Sequence, residues 1–236
     1  MHILVLQHAR LEHPGVFRDF LTRDGHSWDA VELDEGESLP SLDGYDALWV
    51  MGGPMDVWQE DQHPWLRDEK ALIREAVVDR EMPFLGLCLG QQLLAEALGG
   101  TVVLSKVPEI GVLEVNLTDH SDVFAGLPKT IECLQWHSAE ITQMPEGARV
   151  LASSTACAVQ AMAWKDHAYA LQFHMEIEAD TVTNWADIPE YADALDKAMG
   201  EGAVSRLQDA CAERMATFNA SAERLYGNWV KATKSA

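Results

Sequence analysis

Phe84-Leu85-Gly86-Leu87-Cys88-Leu89-Gly90-Gln91-Gln92 decides the fold. An apolar run with the character of a buried strand enters Gly-x-Cys-x-Gly, and a helix-type pattern over residues 91–98 follows, closed by Gly99-Gly100. A strand that passes into a helix through one tight turn is a nucleophile elbow. The central residue is forced into a strained backbone, and glycines two residues either side let strand and helix approach. In an open α/β sheet this turn lies at the carboxyl end of the strands, where ligands bind. Cys88 is thereby presented as a nucleophile over a helix N-terminus, which favours its thiolate form. The competing reading is a small buried hydrophobe, which most free cysteines are. Cys133, Cys157 and Cys211 lack such a setting and take that reading.

Upstream of the elbow, strand and helix signals alternate. Residues 3–7 are an apolar strand, 14–23 a helix stopped near Gly25, 28–33 a second strand, and 47–51 a third that ends in Gly52-Gly53-Pro54. Residues 65–80 carry Leu66, Leu72, Ile73, Ala76 and Val77 on one helical face, and 83–87 form a fourth strand. This alternation predicts an open, mainly parallel α/β sheet with helices on both faces. Downstream the pattern changes to strand-like pieces at 102–104, 111–117, 131–136, 149–152, 158–164 and 168–173, which makes the sheet mixed. After Glu176 the chain turns helical. Val204, Leu207, Cys211, Met215, Phe218, Ala222, Leu225 and Trp229 step by three or four, an amphipathic stripe that packs either on its own domain or along the seam of a homodimer.

The 236 residues suffice for one large domain, or one domain with an appendage, and 47% are hydrophobic. Asp and Glu total 38 against 17 Lys and Arg, a net charge of −21, which repels nucleic acid. The longest charge-free stretch, residues 150–164, is too short to span a membrane and contains Ser153, Ser154, Thr155 and Gln160. The N-terminus lacks a basic leader segment and reads as the first strand. Four widely spaced cysteines without CxxC argue for a reduced, cytoplasmic setting rather than a disulfide framework or zinc ribbon. Nine scattered histidines form no metal-ligand pattern, so neither a metal nor another cofactor is expected.

A thiolate that attacks a carbonyl needs a base, an orienter for that base and an oxyanion hole. Tyr169-Ala170-Leu171-Gln172-Phe173-His174-Met175-Glu176 ends an apolar strand in His174, with Glu176 two residues on. Period-two spacing puts both side chains on one side of an extended chain, so Glu176 can bind one imidazole nitrogen and leave the other for Cys88. The backbone N–H of Leu89 points into the elbow, and Gly53 can supply a second donor.

Taken in order, Gly52-Gly53-Pro54-Met55-Asp56-Val57, the Cys88 elbow and Phe173-His174-Met175-Glu176 resemble the class I (triad) glutamine amidotransferases, above all the glutaminase domain of GMP synthases and its stand-alone relatives. The resemblance covers roughly residues 1–185, and it implies a flavodoxin-like fold with residues 186–236 as a C-terminal helical extension. It also implies a Cys-His-Glu triad that hydrolyses the γ-amide of glutamine through a γ-glutamyl thioester. Cys88 would be nucleophile, His174 base and then acid, Glu176 orienter, Gly53 and Leu89 oxyanion donors, and Gln92 a substrate contact. Pro108-Glu109-Ile110-Gly111 is similar to the family's Glu-x-Gly segment.

Two positions depart from the family pattern. Met175 stands where the family commonly has Pro, leaving the backbone there less rigid. Trp136, in Trp136-His137, stands where GMP synthases commonly have Ser, in a loop that holds the amino-acid end of glutamine. An indole there either covers a bulkier γ-glutamyl amide or peptide or packs in the core. No synthase motif accompanies the glutaminase-like residues, so ammonia would pass to a separate synthase or to solvent. The alternatives are a γ-glutamyl peptide hydrolase, a non-catalytic binding or regulatory subunit, and another cysteine-elbow protein of the same broad fold.

Overall fold

The computed structural model describes residues 1–120 and 122–233. The last three positions of the expected extension, 234–236, lie outside them. The strands are β1 (His2–Gln7), β2 (Ser27–Glu32), β3 (Ala47–Val50), β4 (Phe84–Leu87), β5 (Thr101–Leu117), β6 (Thr130–Gln143), β7 (Ala148–Ser153), β8 (Ala161–Trp164) and β9 (Ala168–Leu171). The helices are α1 (Phe17–Arg23), α2 (Trp65–Arg74), α3 (Leu89–Ala97), α4 (Thr181–Trp185), α5 (Pro189–Met199) and α6 (Ala203–Thr233). A π-helical turn over Glu75–Asp79 continues α2.

One sheet runs in the order β2-β1-β3-β4-β9-β8-β7-β5-β6. Its first five strands are parallel in a flavodoxin-like order, and the rest pair antiparallel. Alternation along the parallel strands builds two cores. Ile3, Val5, Trp49, Leu85 and Leu171 face α1 and α6, whereas Leu4, Leu6, Leu48, Val50 and Phe84 face α2 and α3. Burial on both faces is why these strands read as continuous apolar runs.

The C-terminal stripe is consumed inside the chain. Leu207, Cys211, Phe218, Ala222, Leu225 and Trp229 are buried, and the Trp229 indole donates to the Phe84 carbonyl at 3.1 Å. Leu207, Phe218 and Leu225 each contribute about 1.5–3 kcal/mol by burial, and the seam reading loses its apolar face. Among the described residues no helix is long and apolar enough to cross a membrane.

Several boundaries differ from expectation, among them β6, which runs on to Gln143 past the expected end at 136. The pieces at 102–104 and 111–117 are one strand, β5, which crosses the Lys106-Val107-Pro108 interruption with a register shift between Leu104 and Glu109. β8 starts at Ala161, later than the expected 158, with a register shift in its pairing to β7 between Val150 and Ala152. Helix α1 starts at Phe17, not 14. Gly15 lies at φ +50°, and a Cβ there would stand 1.8 Å from the Glu176 carbonyl oxygen, which accepts the Val16 N–H at 2.7 Å. The first loop of the chain thus clasps the backbone of Glu176.

Candidate active site

The carboxyl ends of β1, β3, β4 and β9 converge on one cleft. At its floor Cys88 has φ +51° and ψ −104°, the strain that the elbow demands. Both flanking glycines are required by space. A Cβ on Gly90 would lie 2.1 Å from the Val50 carbonyl oxygen, and one on Gly86 would lie 2.7 Å from that of Gly90. Among the described residues the Leu89 and Gly53 N–H groups have no acceptor. The neighbouring donors are engaged: Cys88 N–H on Leu171 O at 2.7 Å, Gly90 N–H on Met51 O at 3.1 Å. Gly53, Cys88, Leu89, Gln92, Trp136 and His137 all line the cleft, whose volume is about 960 Å³.

His174 and Glu176 are buried, with Nδ1 2.7 Å from Oε1. The other carboxylate oxygen accepts the Met175 N–H at 2.9 Å. A proline at 175 would lack that donor, so Met175 restrains the carboxylate by a hydrogen bond where the family's proline would restrain the backbone. The His174 N–H is tied to the Leu134 carbonyl at 2.9 Å, and the Trp185 ring packs edge-on at 4.6 Å from the imidazole. Burial works against an imidazolium here, but the Glu176 carboxylate and the neighbouring Cys88 outweigh it and hold the His174 pKa well above the ordinary value.

Gln92 donates to Gln172 Oε1 at 3.1 Å, and Gln172 Nε2 stands 3.4 Å from Cys88 Sγ. Trp136 belongs to the core and to the cleft lining alike. It is buried, tilted against Tyr191 and edge-on to Trp185, and it walls the cleft. Its indole nitrogen has no partner among the described residues.

His137 binds the Ala139 carbonyl through Nδ1 at 3.0 Å and faces Glu109 Oε2 at 3.4 Å through Nε2. With Cys157, these side chains offer three buried donor atoms within 4.8 Å of one another. The Glu109 and Cys157 atoms are already engaged, and His137 Nε2 has no hydrogen-bond partner among the described residues. Glu109 Oε2 accepts from Ser154 at 2.9 Å and Gln160 at 2.7 Å, and the Cys157 thiol is directed at the Val159 carbonyl. Burial pushes that thiol up to about 12, whereas the nearby His137 and the bonds from Ser154 and Gln160 overcome burial and lower the Glu109 pKa. The cluster braces His137 from behind.

The sequence reading missed four side chains around this site besides Gln172. Glu12, after β1, is buried and accepts a hydrogen bond from Tyr191 on α5. Burial raises its pKa against the pull of His174 and Tyr191. His8 and Glu69 lie together behind the Gly52-Gly53 turn. Only Gln172 had a local signal, being two residues before His174 on the same side of the strand.

The fold and this site define a cysteine-elbow α/β enzyme of the amidotransferase type. The glutamine amidotransferase class-I family profile matches residues 21–183. The glutamine-hydrolyzing GMP synthase component of Sulfolobus acidocaldarius, one subunit of that synthase, is 34% identical over 151 residues, covering 64% of this chain and 77% of that protein. The putative glutamine amidotransferase-like protein YfeJ of Salmonella typhimurium is 31% identical over 189 residues, 77% of this chain and 78% of that one. A crystal structure of a glutamine amidotransferase from Thermotoga maritima superposes with a TM-score of 0.87 at 28% identity, covering 98% of both chains. One from Methylobacillus flagellatus gives 0.85 at 32%, covering 98% and 94%. The chain belongs to the class-I glutamine amidotransferase family and is an enzyme of that class.

Proposed function

We propose that the protein hydrolyses the γ-glutamyl C–N bond of glutamine or of a substituted γ-glutamyl amide or peptide, with Cys88, His174 and Glu176 as its triad. The observation that carries this reading is the buried imidazole held at 2.7 Å by Glu176, with the strained Cys88 beside it. The Cys88 thiolate attacks the γ-carbonyl carbon. The N–H groups of Gly53 and Leu89 receive the oxyanion. As the C–N bond breaks, the His174 imidazolium gives its proton to the leaving amine, and a γ-glutamyl thioester remains. Water, deprotonated by His174, attacks the thioester and releases glutamate and the free thiolate. An intact set of three side chains speaks against a silent binding subunit.

Residues 1–185 form the proposed catalytic unit, and 186–236 an extension that supplies Tyr191 to the cleft wall. The relatives named as subunits of GMP synthase support a separate ammonia-accepting synthase as partner. Trp136 and the cleft support the substituted substrate over free glutamine. A volume of about 960 Å³ lies near the top of the roughly 300–1,000 Å³ usual for small-molecule sites, leaving room beyond a carboxamide. The test is kcat/KM for glutamine against γ-glutamyl alkylamides and peptides, in wild type and Trp136→Phe. We expect a substituted substrate to lead, and the lead to shrink in the variant. Glutamine best by tenfold with no partner added would overturn that preference and leave a plain glutaminase.

A further inference from the structure

We propose that His8 and Glu69 are positioning residues, a buried ion pair that aims and polarises the Gly52–Gly53 peptide as the second oxyanion donor. The inference rests on the reading of Cys88 as the nucleophile. His8 follows β1, and Glu69 sits on α2 with both side chains fully buried. Nδ1 of His8 lies 2.8 Å from the Gly52 carbonyl oxygen, and Nε2 lies 2.8 Å from Glu69 Oε1. A carbonyl only accepts, so Nδ1 carries hydrogen, and with Glu69 ionised Nε2 carries one too, making the ring an imidazolium. Trp65 stacks on it at 5.5 Å with 17° between the planes, the arrangement that suits a cation over an indole. Charged groups face the ring from two elements, Glu69 on α2 and Glu12 in the loop after β1. Both are acidic, and with the Gly52 bond they outweigh burial and raise the His8 pKa.

A buried ion pair is seldom kept for stability, because desolvation consumes what attraction returns. Its position suggests another use. No peptide bond among the described residues is cis, so the carbonyl of Gly52 and the N–H of Gly53 point in opposite directions across one rigid plane. Anchoring the carbonyl on His8 turns the N–H away from the ring, and that N–H has no acceptor among the described residues while Gly53 lines the cleft beside Cys88. The plane is also held by contact. A Cβ on Gly53 would lie 2.7 Å from His8 Cβ, and one on Gly52 would lie 2.3 Å from Glu12 Oε2. A cationic donor on a carbonyl draws electron density through the amide and makes its N–H the stronger donor. Charge arriving at the N–H during attack is thereby answered from behind, by a proton the substrate never touches.

The test separates attack on a carbonyl from reactivity of the thiol. Alkylation of Cys88 by iodoacetamide forms no oxyanion, whereas hydrolysis of a γ-glutamyl amide does. In His8→Leu we expect kcat to fall about 100-fold, the scale of one lost oxyanion donor, with KM within threefold and the alkylation rate within twofold of wild type. His8→Asn, which keeps a neutral donor near Nδ1, should recover part of kcat, and Glu69→Gln should lie between. Folded His8→Leu with kcat within threefold of wild type, or with alkylation and hydrolysis lost in equal measure, would overturn the proposal. A further readout needs no variant to fold. Nitrogen NMR of the wild-type histidines should show both His8 ring nitrogens protonated at neutral pH, and a neutral ring would also overturn it. Wild-type protein that alkylates at Cys88 yet hydrolyses no γ-glutamyl amide would contradict the proposed function instead, with the NMR result still deciding the pair.

Discussion

Tyr191 donates a hydrogen bond to Glu12, 179 residues away in sequence, and thereby ties α5 to the loop after β1 beside the triad. Both groups are buried. Burial, and then the charge of Glu12, keep the phenol well above its ordinary pKa, so it remains a donor.

Removing that donor leaves a buried carboxyl without its partner. Tyr191→Phe should lower stability by about 1–3 kcal/mol, measured by urea denaturation, and should reduce kcat/KM because α5 no longer closes the cleft in one position. A variant as stable as wild type would mean that Glu12 finds another donor.

The elbow stores strain at Cys88. Its φ of +51° is a glycine conformation, so Cys88→Gly should be more stable than Cys88→Ala by about 1 kcal/mol, with both inactive. The comparison by thermal unfolding is direct, since neither variant keeps a sulfur. Equal stability would deny the strain.

Stability should fall on the alkaline side. His8 keeps its proton in the folded state above the ordinary value of 6.5. The proton that His174 keeps is balanced by the one missing from the proposed Cys88 thiolate, so that pair adds no slope. Below 6.5 folded and unfolded chains both carry the His8 proton and the stabilisation is complete. As pH rises above it the unfolded chain releases a proton that the folded chain retains, so stability declines until the folded His8 titrates. The slope is at most about 1.4 kcal/mol per pH unit. His13, whose pKa is lowered by burial, titrates below this window, and the ordinary cysteine value of 9.0 bounds it above. Unfolding midpoints between these limits should decline, and less steeply in Glu69→Gln. A flat profile in wild type would contradict the charged state of His8.

What the sequence made legible was local. Gly86-x-Cys88-x-Gly90 announces the elbow because the close approach of strand and helix is settled within five residues. Period two reached Glu176 from His174, and the same step taken backwards reaches Gln172. Glu12 and Tyr191, or His8 and Glu69, 61 residues apart, meet only because the strand order brings the ends of β1, β3 and β9 together. No spacing rule connects them. β5 reads as two pieces in the sequence because Lys106 and Pro108 break its apolar pattern, whereas a register shift in the hairpin absorbs the break.

The central claim is that Cys88 attacks a γ-glutamyl carbonyl. Burial raises the other three thiols, Cys133 well above its ordinary value, Cys157 to about 12 and Cys211 to about 11, so they should stay inert at neutral pH. The protein is treated with a diazo-ketone analogue of glutamine, and the site of attachment is read by peptide mass mapping alongside residual hydrolysis. The account predicts one adduct per chain, on Cys88, with activity lost in proportion to labelling. Labelling of Cys133, Cys157 or Cys211 with Cys88 untouched, or hydrolysis that survives complete modification of Cys88, would contradict it.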